Sequence, residues 1–477
     1  MSFSLQITIN KKEGGGWSYQ MSSGGLVSAL SGLKKELDFL WVGWPGLELS
    51  EEDASVVSQD LAEKFNAIPV YLSDKTAELH YNGFSNSILW PLFHYQPGEM
   101  LFDEAAWEGY QKANEEFARV ITEILRDGDH VWVRDRDESE AEAMGNFAQT
   151  ISIGFFLHTP FPSSEIYRVL PVRREILFGV LQSDLIGFHT YDYARHFLSA
   201  CTRVLGLHAM PNGVVFEGRL VRVGTFPIGI DPEKFENQLS QEATKRRINE
   251  LSSQFKGIKV IVGVDRLDYI KGVPKKFEAF ELFLTRHPEW REKVVLVQVA
   301  VPSRQDVEEY ANLRSKVNEL VGRVNGKFGT VTYQPIHFLH RSVDFTELVA
   351  LYAMADACLV TSSRDGMNLV SCEYIASQSP KAGVLILSEF AGAAQSLNGA
   401  IVVNPWSSSD VSEAIKEALE APEYQRRARL RRMTRYVKKY TAAFWGTSFV
   451  SELTRISSEY DAQVANRQRL KFREVAS

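Results

Sequence analysis

Two stretches of the chain place charged groups beside turn-forming glycines after short apolar runs. The first is Val264-Asp265-Arg266-Leu267-Asp268-Tyr269-Ile270-Lys271-Gly272. Arg266 and Lys271 near a strand's carboxyl end would suit a diphosphate leaving group, because fixed cations neutralise the charge that grows as it departs. A salt-bridged surface loop would use the same residues. The second is Arg364-Asp365-Gly366-Met367-Asn368-Leu369-Val370, with Glu373 one turn further on. Free backbone amides at a helix start can hold phosphate or sugar oxygens. Asp365 can accept from sugar hydroxyls and Glu373 from a ribose diol, yet both could also be helix caps. Three weaker signals accompany these. Gly24 and Gly25, in Met21–Leu26, precede a helical pattern from near Val27, as a phosphate cradle or a plain turn. His158 follows the apolar run Gly154-Phe155-Phe156-Leu157 and is followed by Pro160 and Pro162 in a rigid loop. Tyr81 and the segment Leu89-Trp90-Pro91-Leu92-Phe93-His94-Tyr95 offer aromatic faces to a sugar ring, or simply to a core.

The elements that must position these groups alternate. Short apolar runs lie at 39–42, 68–72, 131–133, 151–157, 184–188, 260–264, 294–301, 357–360, 383–387 and 400–403. Runs of this length suit strands buried on both faces of a parallel sheet. Helical patterns lie between them; the clearest puts Val307, Tyr310, Val317, Leu320, Val321 and Val324 on one stripe. Strand–helix alternation on this scale reads as doubly wound α/β. It restarts after Pro227-Ile228-Gly229-Ile230-Asp231-Pro232. The expected domains are 1–228 and 229–440, facing across a cleft. Ligands in such sheets bind beyond the carboxyl ends of the strands. Residues 441–477 are expected as a C-terminal helix returning to the first domain, ending in a polar tail.

Composition narrows the class. The 477 residues carry a net charge of −7, against a nucleic-acid partner. Only three cysteines, Cys201, Cys358 and Cys372, argue for a reducing compartment. No apolar run approaches the roughly 18 residues of a membrane span, and no secretory signal pattern is visible. A cytoplasmic protein is expected. Eight basic residues between Arg426 and Lys439 fit one solvated helix face, with Leu430, Met433 and Val437 inward. An anionic or calmodulin-type partner is the other use of such a run.

Together these segments closely resemble the trehalose-6-phosphate synthases, the fungal type in particular. The resemblance is carried by Met21–Leu26, Tyr81–Tyr95, Gly154–Arg173, Gly187–Phe197, Phe226–Phe235, Val264–Gly272, Val301–Gln305, Arg364–Glu373 and Ser388–Asn398. It reaches to about Leu453. It implies a GT-B glycosyltransferase with two Rossmann-like domains, moving glucose with retention from UDP-glucose to glucose-6-phosphate. UDP-glucose is then a substrate; no cofactor, metal or protein nucleophile is implied, and the leaving phosphate serves as base. By motif match, Arg266 and Lys271 hold the donor diphosphate and Gly25 lies against it. Asp365 binds the donor glucose with the amides of Met367, Asn368 and Leu369, and Glu373 binds the ribose. His158 sits beside the transferred sugar. Tyr81, Trp90 and Arg304 bind the acceptor phosphate region, and Asp135 meets the acceptor sugar. Expected partners are the two small molecules, with a homo-oligomer or a trehalose synthase/phosphatase complex possible, and neither nucleic acid nor membrane.

Two departures fall on the acceptor side. The family's first strand ends in Asn-Arg-Leu-Pro; here the aligned stretch is Phe3-Ser4-Leu5-Gln6, and Ser4 replaces an arginine that grips the acceptor phosphate. The strand looks shortened as well. The family's His-Asp-Tyr-His-Leu is here Arg134-Asp135-Arg136-Asp137-Glu138, followed by the acidic stretch to Gly145. The sequence therefore supports an active synthase first. A regulatory paralogue that binds donor without turnover, and a glucosyltransferase for another acceptor, are the alternatives.

Overall fold

The computed structural model describes residues 4–5, 7–12, 15–21, 37–134, 151–303, 308–378 and 381–475. The chain divides into two units, Met1–Ile228 with Ala443–Ser477, and Gly229–Ala442. In the second unit the entry and exit segments lie together. The Ala442 amide donates to the Ile230 carbonyl at 3.0 Å. A Cβ on Gly229 would sit 1.8 Å from the Tyr440 carbonyl oxygen, so only glycine allows this approach.

The first unit begins with a hairpin, β1 (Ile7–Lys11) against β2 (Trp17–Met21), which the reading of continuous apolar runs had not marked. β3 (Trp41–Gly43) and β4 (Ala67–Pro69) form a short parallel pair. They flank α1 (Glu51–Phe65), whose N-cap Ser50 accepts from the Asp53 amide and whose first turn is acidic, as the helix dipole favours. A π-helical run, Leu79–Leu89, leads into a short helix Trp90–Phe93. It packs closely on α2 (Glu104–Ile124): a Cβ on Gly109 would meet the Leu79 Cβ at 2.3 Å.

The main sheet of this unit comprises β5 (His130–Arg134), β6 (Ser152–Phe156), β7 (Leu185–Phe188), β8 (Ala209–Met210), β9 (Gly213–Phe216) and β10 (Arg219–Thr225). Its order is β5-β6-β7-β10-β9-β8, parallel as far as β10 and antiparallel beyond. The unit is thus Rossmann-like at its centre, with an antiparallel edge.

The second unit is regular. Its strands are β11 (Lys259–Arg266), β12 (Val294–Val301), β13 (Ile336–Leu339), β14 (Ala357–Val360), β15 (Val384–Ser388) and β16 (Ile401–Val403). All pair in parallel, in the order β13-β12-β11-β14-β15-β16. Numbered within the unit this is the dinucleotide-fold order 3-2-1-4-5-6. β12, β14 and β15 are almost wholly buried because helices cover both faces. Among those helices are α3 (Val273–Arg286), α4 (Glu308–Phe328) and α5 (Phe345–Met354). Along α4, Tyr310, Val317, Leu320 and Val324 are buried as the stripe required and Val321 is half-buried, while Val307 lies outside the described residues. α6 (Leu369–Ala376) follows β14. In α7 (Glu423–Lys439), Met433 and Val437 are buried, Leu430 is half-buried, and Arg431, Arg432 and Arg435 are exposed.

The last helix, α8 (Ala442–Val475), packs into the first unit. Trp445, Phe449 and Leu453 are buried. Gly154 in β6 and Gly187 in β7 make the seat: a Cβ there would meet the Phe449 ring at 2.7 and 2.8 Å.

Candidate active site

In the second unit the strand order reverses between β11 and β14, and both charged segments leave the sheet at this reversal. In open parallel sheets this is where ligands bind. β11 ends on Arg266, which is exposed. Asp268, fully buried, then caps a 3-10 turn, Tyr269–Lys271. It accepts from the Ile270 amide and from the Tyr310 hydroxyl of α4, each at 3.2 Å. Gly272 has φ +64°, and a Cβ would meet the Thr361 carbonyl oxygen at 2.1 Å. The Thr361 hydroxyl donates to the Gly272 carbonyl at 3.1 Å. The Ser363 amide and hydroxyl both donate to the Ile270 carbonyl, at 2.7 and 3.0 Å. The two loops are therefore laced together by backbone contacts.

This lacing brings Lys271 to Asp365: Nζ lies 2.6 Å from Oδ2. The same oxygen accepts from Ser362 Oγ at 3.3 Å and from Asn368 Nδ2 at 3.0 Å. Three donors on one carboxylate oxygen fix the side chain before any ligand arrives, which is the preorganisation that electrostatic catalysis needs. The backbone of this loop is pinned too. The Gly392 amide donates to the Asp365 carbonyl at 3.1 Å, and the Ala393 amide to the Met367 carbonyl at 2.8 Å.

The cap of α6 is Asn368, at φ 74°, so neither Asp365 nor Glu373 caps this helix. Asn368 does two jobs at once. Its carboxamide oxygen accepts from the amide and hydroxyl of Ser371, at 3.1 and 2.6 Å, while its NH2 group holds Asp365. Leu369 is the first residue of α6.

Glu373 lies one turn into α6 and accepts from the buried Tyr352 hydroxyl at 3.1 Å. Part of the residue reaches solvent, yet burial pushes its carboxyl above the ordinary value of 4.5, opposed by the Tyr352 hydroxyl and by Lys234. A raised carboxyl pKa adds stability that is complete below the unfolded value and lost as pH rises through the folded one. A Glu373→Gln variant should therefore match or exceed wild-type thermal stability at pH 8, its relative advantage growing between pH 5 and pH 8. If the carboxylate holds a ribose, the same change should weaken UDP binding about 10- to 100-fold, as loss of a hydrogen bond to a charged group does. Melting curves at the two pH values and UDP titration calorimetry check both signs.

In the first unit, His158 lies half-buried two residues beyond β6, its ring 5.2 Å from that of His189 and 5.4 Å from that of Trp445. Trp90 is buried and its ring lies 4.2 Å from that of His94; Tyr81 is exposed on the π-helical run. The His158 loop meets this segment: the Ser163 amide donates to the Tyr95 hydroxyl at 2.9 Å, and the Phe93 and Phe161 rings lie 5.7 Å apart. Gly25, Asp135 and Arg304, with Arg136, Asp137 and Glu138, lie outside the described residues. Ser362, Tyr352 and a buried triad of Lys276, Asp265 and Gln298 were not singled out from the sequence. Asp265 lies within the Val264–Gly272 segment and Gln298 on the neighbouring β12, whereas Ser362 follows β14, Tyr352 lies on α5 and Lys276 on α3, outside the segments that carried a signal.

Two Rossmann-like units, one with cations and a held carboxylate at its sheet reversal, define a glycosyltransferase of the GT-B class. Residues 1–455 match the model of glycosyltransferase family 20. The chain belongs to that family. It is 63% identical to the UDP-forming alpha,alpha-trehalose-phosphate synthase of Schizosaccharomyces pombe, over 95% of this chain and 89% of that protein. It is 58% identical to the 56 kDa subunit of the Saccharomyces cerevisiae enzyme of the same name, over 97% and 95%. Among solved structures, the Burkholderia xenovorans UDP-forming synthase in complex with glucose-6-phosphate superposes with a TM-score of 0.84 at 33% identity, covering 91% of this chain and 97% of that one. Among the described residues no helix is long and apolar enough to cross a membrane.

Proposed function

We propose that the protein is a retaining glucosyltransferase that moves glucose from UDP-glucose to glucose-6-phosphate, yielding trehalose-6-phosphate and UDP. The observation that carries this reading is the Lys271–Asp365 pair at the sheet reversal, held at 2.6 Å with Arg266 on the same loop. In this assignment Arg266 and Lys271 take the diphosphate, with Gly25 against it. Asp365 and the amides of Met367, Asn368 and Leu369 take the donor glucose, and Glu373 the ribose. His158 stands beside the transferred sugar; Tyr81, Trp90, Asp135 and Arg304 take the acceptor. The reading calls for no cofactor. The test is UDP release from UDP-glucose in chelator-treated buffer, with glucose-6-phosphate, glucose or no acceptor. Release that depends on glucose-6-phosphate is the expected result; release indifferent to it would overturn the acceptor assignment.

Ser4 gives the acceptor assignment its own test. It forms a parallel bridge with Trp44, and the Leu5 amide donates to the Trp44 carbonyl at 3.0 Å, so residue 4 runs alongside the end of β3. Restoring a charged grip with Ser4→Arg should lower the KM for glucose-6-phosphate, by up to about 10- to 100-fold, the value of roughly 1.5–3 kcal/mol of charge-assisted bonding. The KM for UDP-glucose should not move. An unchanged acceptor KM would mean that other groups already grip the phosphate.

A relative named as a 56 kDa subunit supports assembly into a complex; a homo-oligomer and a synthase/phosphatase complex are the two forms this reading allows. Three free, buried cysteines support a reducing, cytoplasmic setting; burial pushes the Cys358 and Cys372 thiols up to about 12, which leaves them unreactive.

A further inference from the structure

Beneath the donor loop lies a closed triangle of buried polar groups. Lys276 Nζ is 2.6 Å from Asp265 Oδ2 and 3.0 Å from Gln298 Oε1, and Gln298 Nε2 donates back to Asp265 Oδ2 at 3.0 Å. The two charged side chains are 0% and 2% exposed. The slot they occupy exists because Gly263, directly opposite Gln298 in the β11–β12 register, has no side chain. A Cβ there would lie 2.2 Å from Gln298 Oε1 and 2.6 Å from Lys276 Nζ.

The placement of the pair is its informative feature. Asp265 is the penultimate residue of β11, next to Arg266. Lys276 lies in the first turn of α3, where its amide donates to the Gly272 carbonyl at 3.0 Å. Arg266 and Lys271 both lie between them, so the ion pair staples the two ends of the loop that carries the cations. Stability alone does not account for it. Desolvating two charges costs about what their attraction returns, and apolar replacements of buried pairs are often neutral or stabilising. What such a pair does supply is a fixed distance and direction.

We propose that Lys276, Asp265 and Gln298 are positioning residues for the donor diphosphate, setting where Arg266 and Lys271 stand as the leaving group departs. The proposal rests on the donor-site reading above. Misplacement of reacting groups by about 1 Å can cost 100-fold in rate. The double variant Asp265→Leu/Lys276→Met removes both charges together and should fold with a melting temperature near wild type. Its kcat should fall about 10- to 100-fold with the KM for glucose-6-phosphate unchanged. Gln298→Met, which keeps the ion pair, should lose less, a few-fold in kcat, and serves if the double variant does not fold. Lys276→Arg, keeping the cation, should retain more activity than Lys276→Met. Folded variants with wild-type kcat would overturn the proposal while leaving the donor site standing. A wild-type protein that neither binds UDP-glucose nor turns it over would overturn the donor site, and this proposal with it.

Discussion

An Arg266→Ala variant should release UDP from UDP-glucose and glucose-6-phosphate about 100- to 1,000-fold more slowly than wild type, while melting at the same temperature. The rate loss follows from position: Arg266 ends β11 at the sheet reversal, and in the proposed assignment a fixed cation there acts as charge accumulates on a departing diphosphate. Deleting one such preorganised group costs roughly 2.7–4 kcal/mol of barrier. The unchanged stability follows from exposure, since surface substitutions usually stay within about ±0.5 kcal/mol. Arg266→Lys should recover part of the rate, because a point charge replaces the charge but not the two-pronged geometry of the guanidinium. Removing Lys271 would strip a donor from the mostly buried Asp365, which confounds catalysis with folding. Turnover within about threefold of wild type would take Arg266 out of the site.

The two charged loops at the sheet reversal were legible because their signal is local. A β-branched run ending in charged residues and a glycine locates a strand end, and Gly272 at φ +64° needs to be glycine. The same reasoning missed strands that are not buried on both faces. β1 alternates buried and exposed residues, and β9–β10 forms an antiparallel hairpin, so neither contains a long continuous apolar run. The hairpin did carry a turn signal, Glu217-Gly218, with both residues at positive φ. Glutamate is an unusual first residue for such a turn, where Asn, Asp or Gly is the common one.

Lys275 and Lys276 mark where local reading ends. Side by side in the first turn of α3, they look alike in sequence. Lys275 reaches over the exposed Trp406 ring at 3.7 Å, whereas Lys276 is fully enclosed against Asp265. Helical spacing puts Lys276 on the apolar stripe of Val273, Phe277, Phe280 and Leu284, but the partner that makes a buried lysine tolerable there appears only through the register that sets Gly263 opposite Gln298. The same holds for Asn368, whose double role depends on Asp365 and Ser371 being held together.

Phe449→Ala should destabilise the protein by about 3–5 kcal/mol, near the upper end of core truncations. That is a large share of the roughly 5–15 kcal/mol that separates folded from unfolded domains. The ring is fully buried, with those of Trp132, Phe226 and Phe156 at 4.7, 5.2 and 5.7 Å. Much of its floor is Gly154 and Gly187, which have no side chains to move into the space it would leave. The cost of a cavity depends on how far its walls can collapse, and these cannot. Phe449→Leu, which fills most of the volume, should cost less than half as much. Urea unfolding followed by tryptophan fluorescence is the measurement, since Trp132 and Trp445 border the site and report on this unit directly. A loss under about 1 kcal/mol would mean that α8 does not seat on the sheet in solution. The expected loss would show instead that β6, the strand leading to His158, depends on a helix almost three hundred residues further along the chain, reached only after the whole second unit has been made.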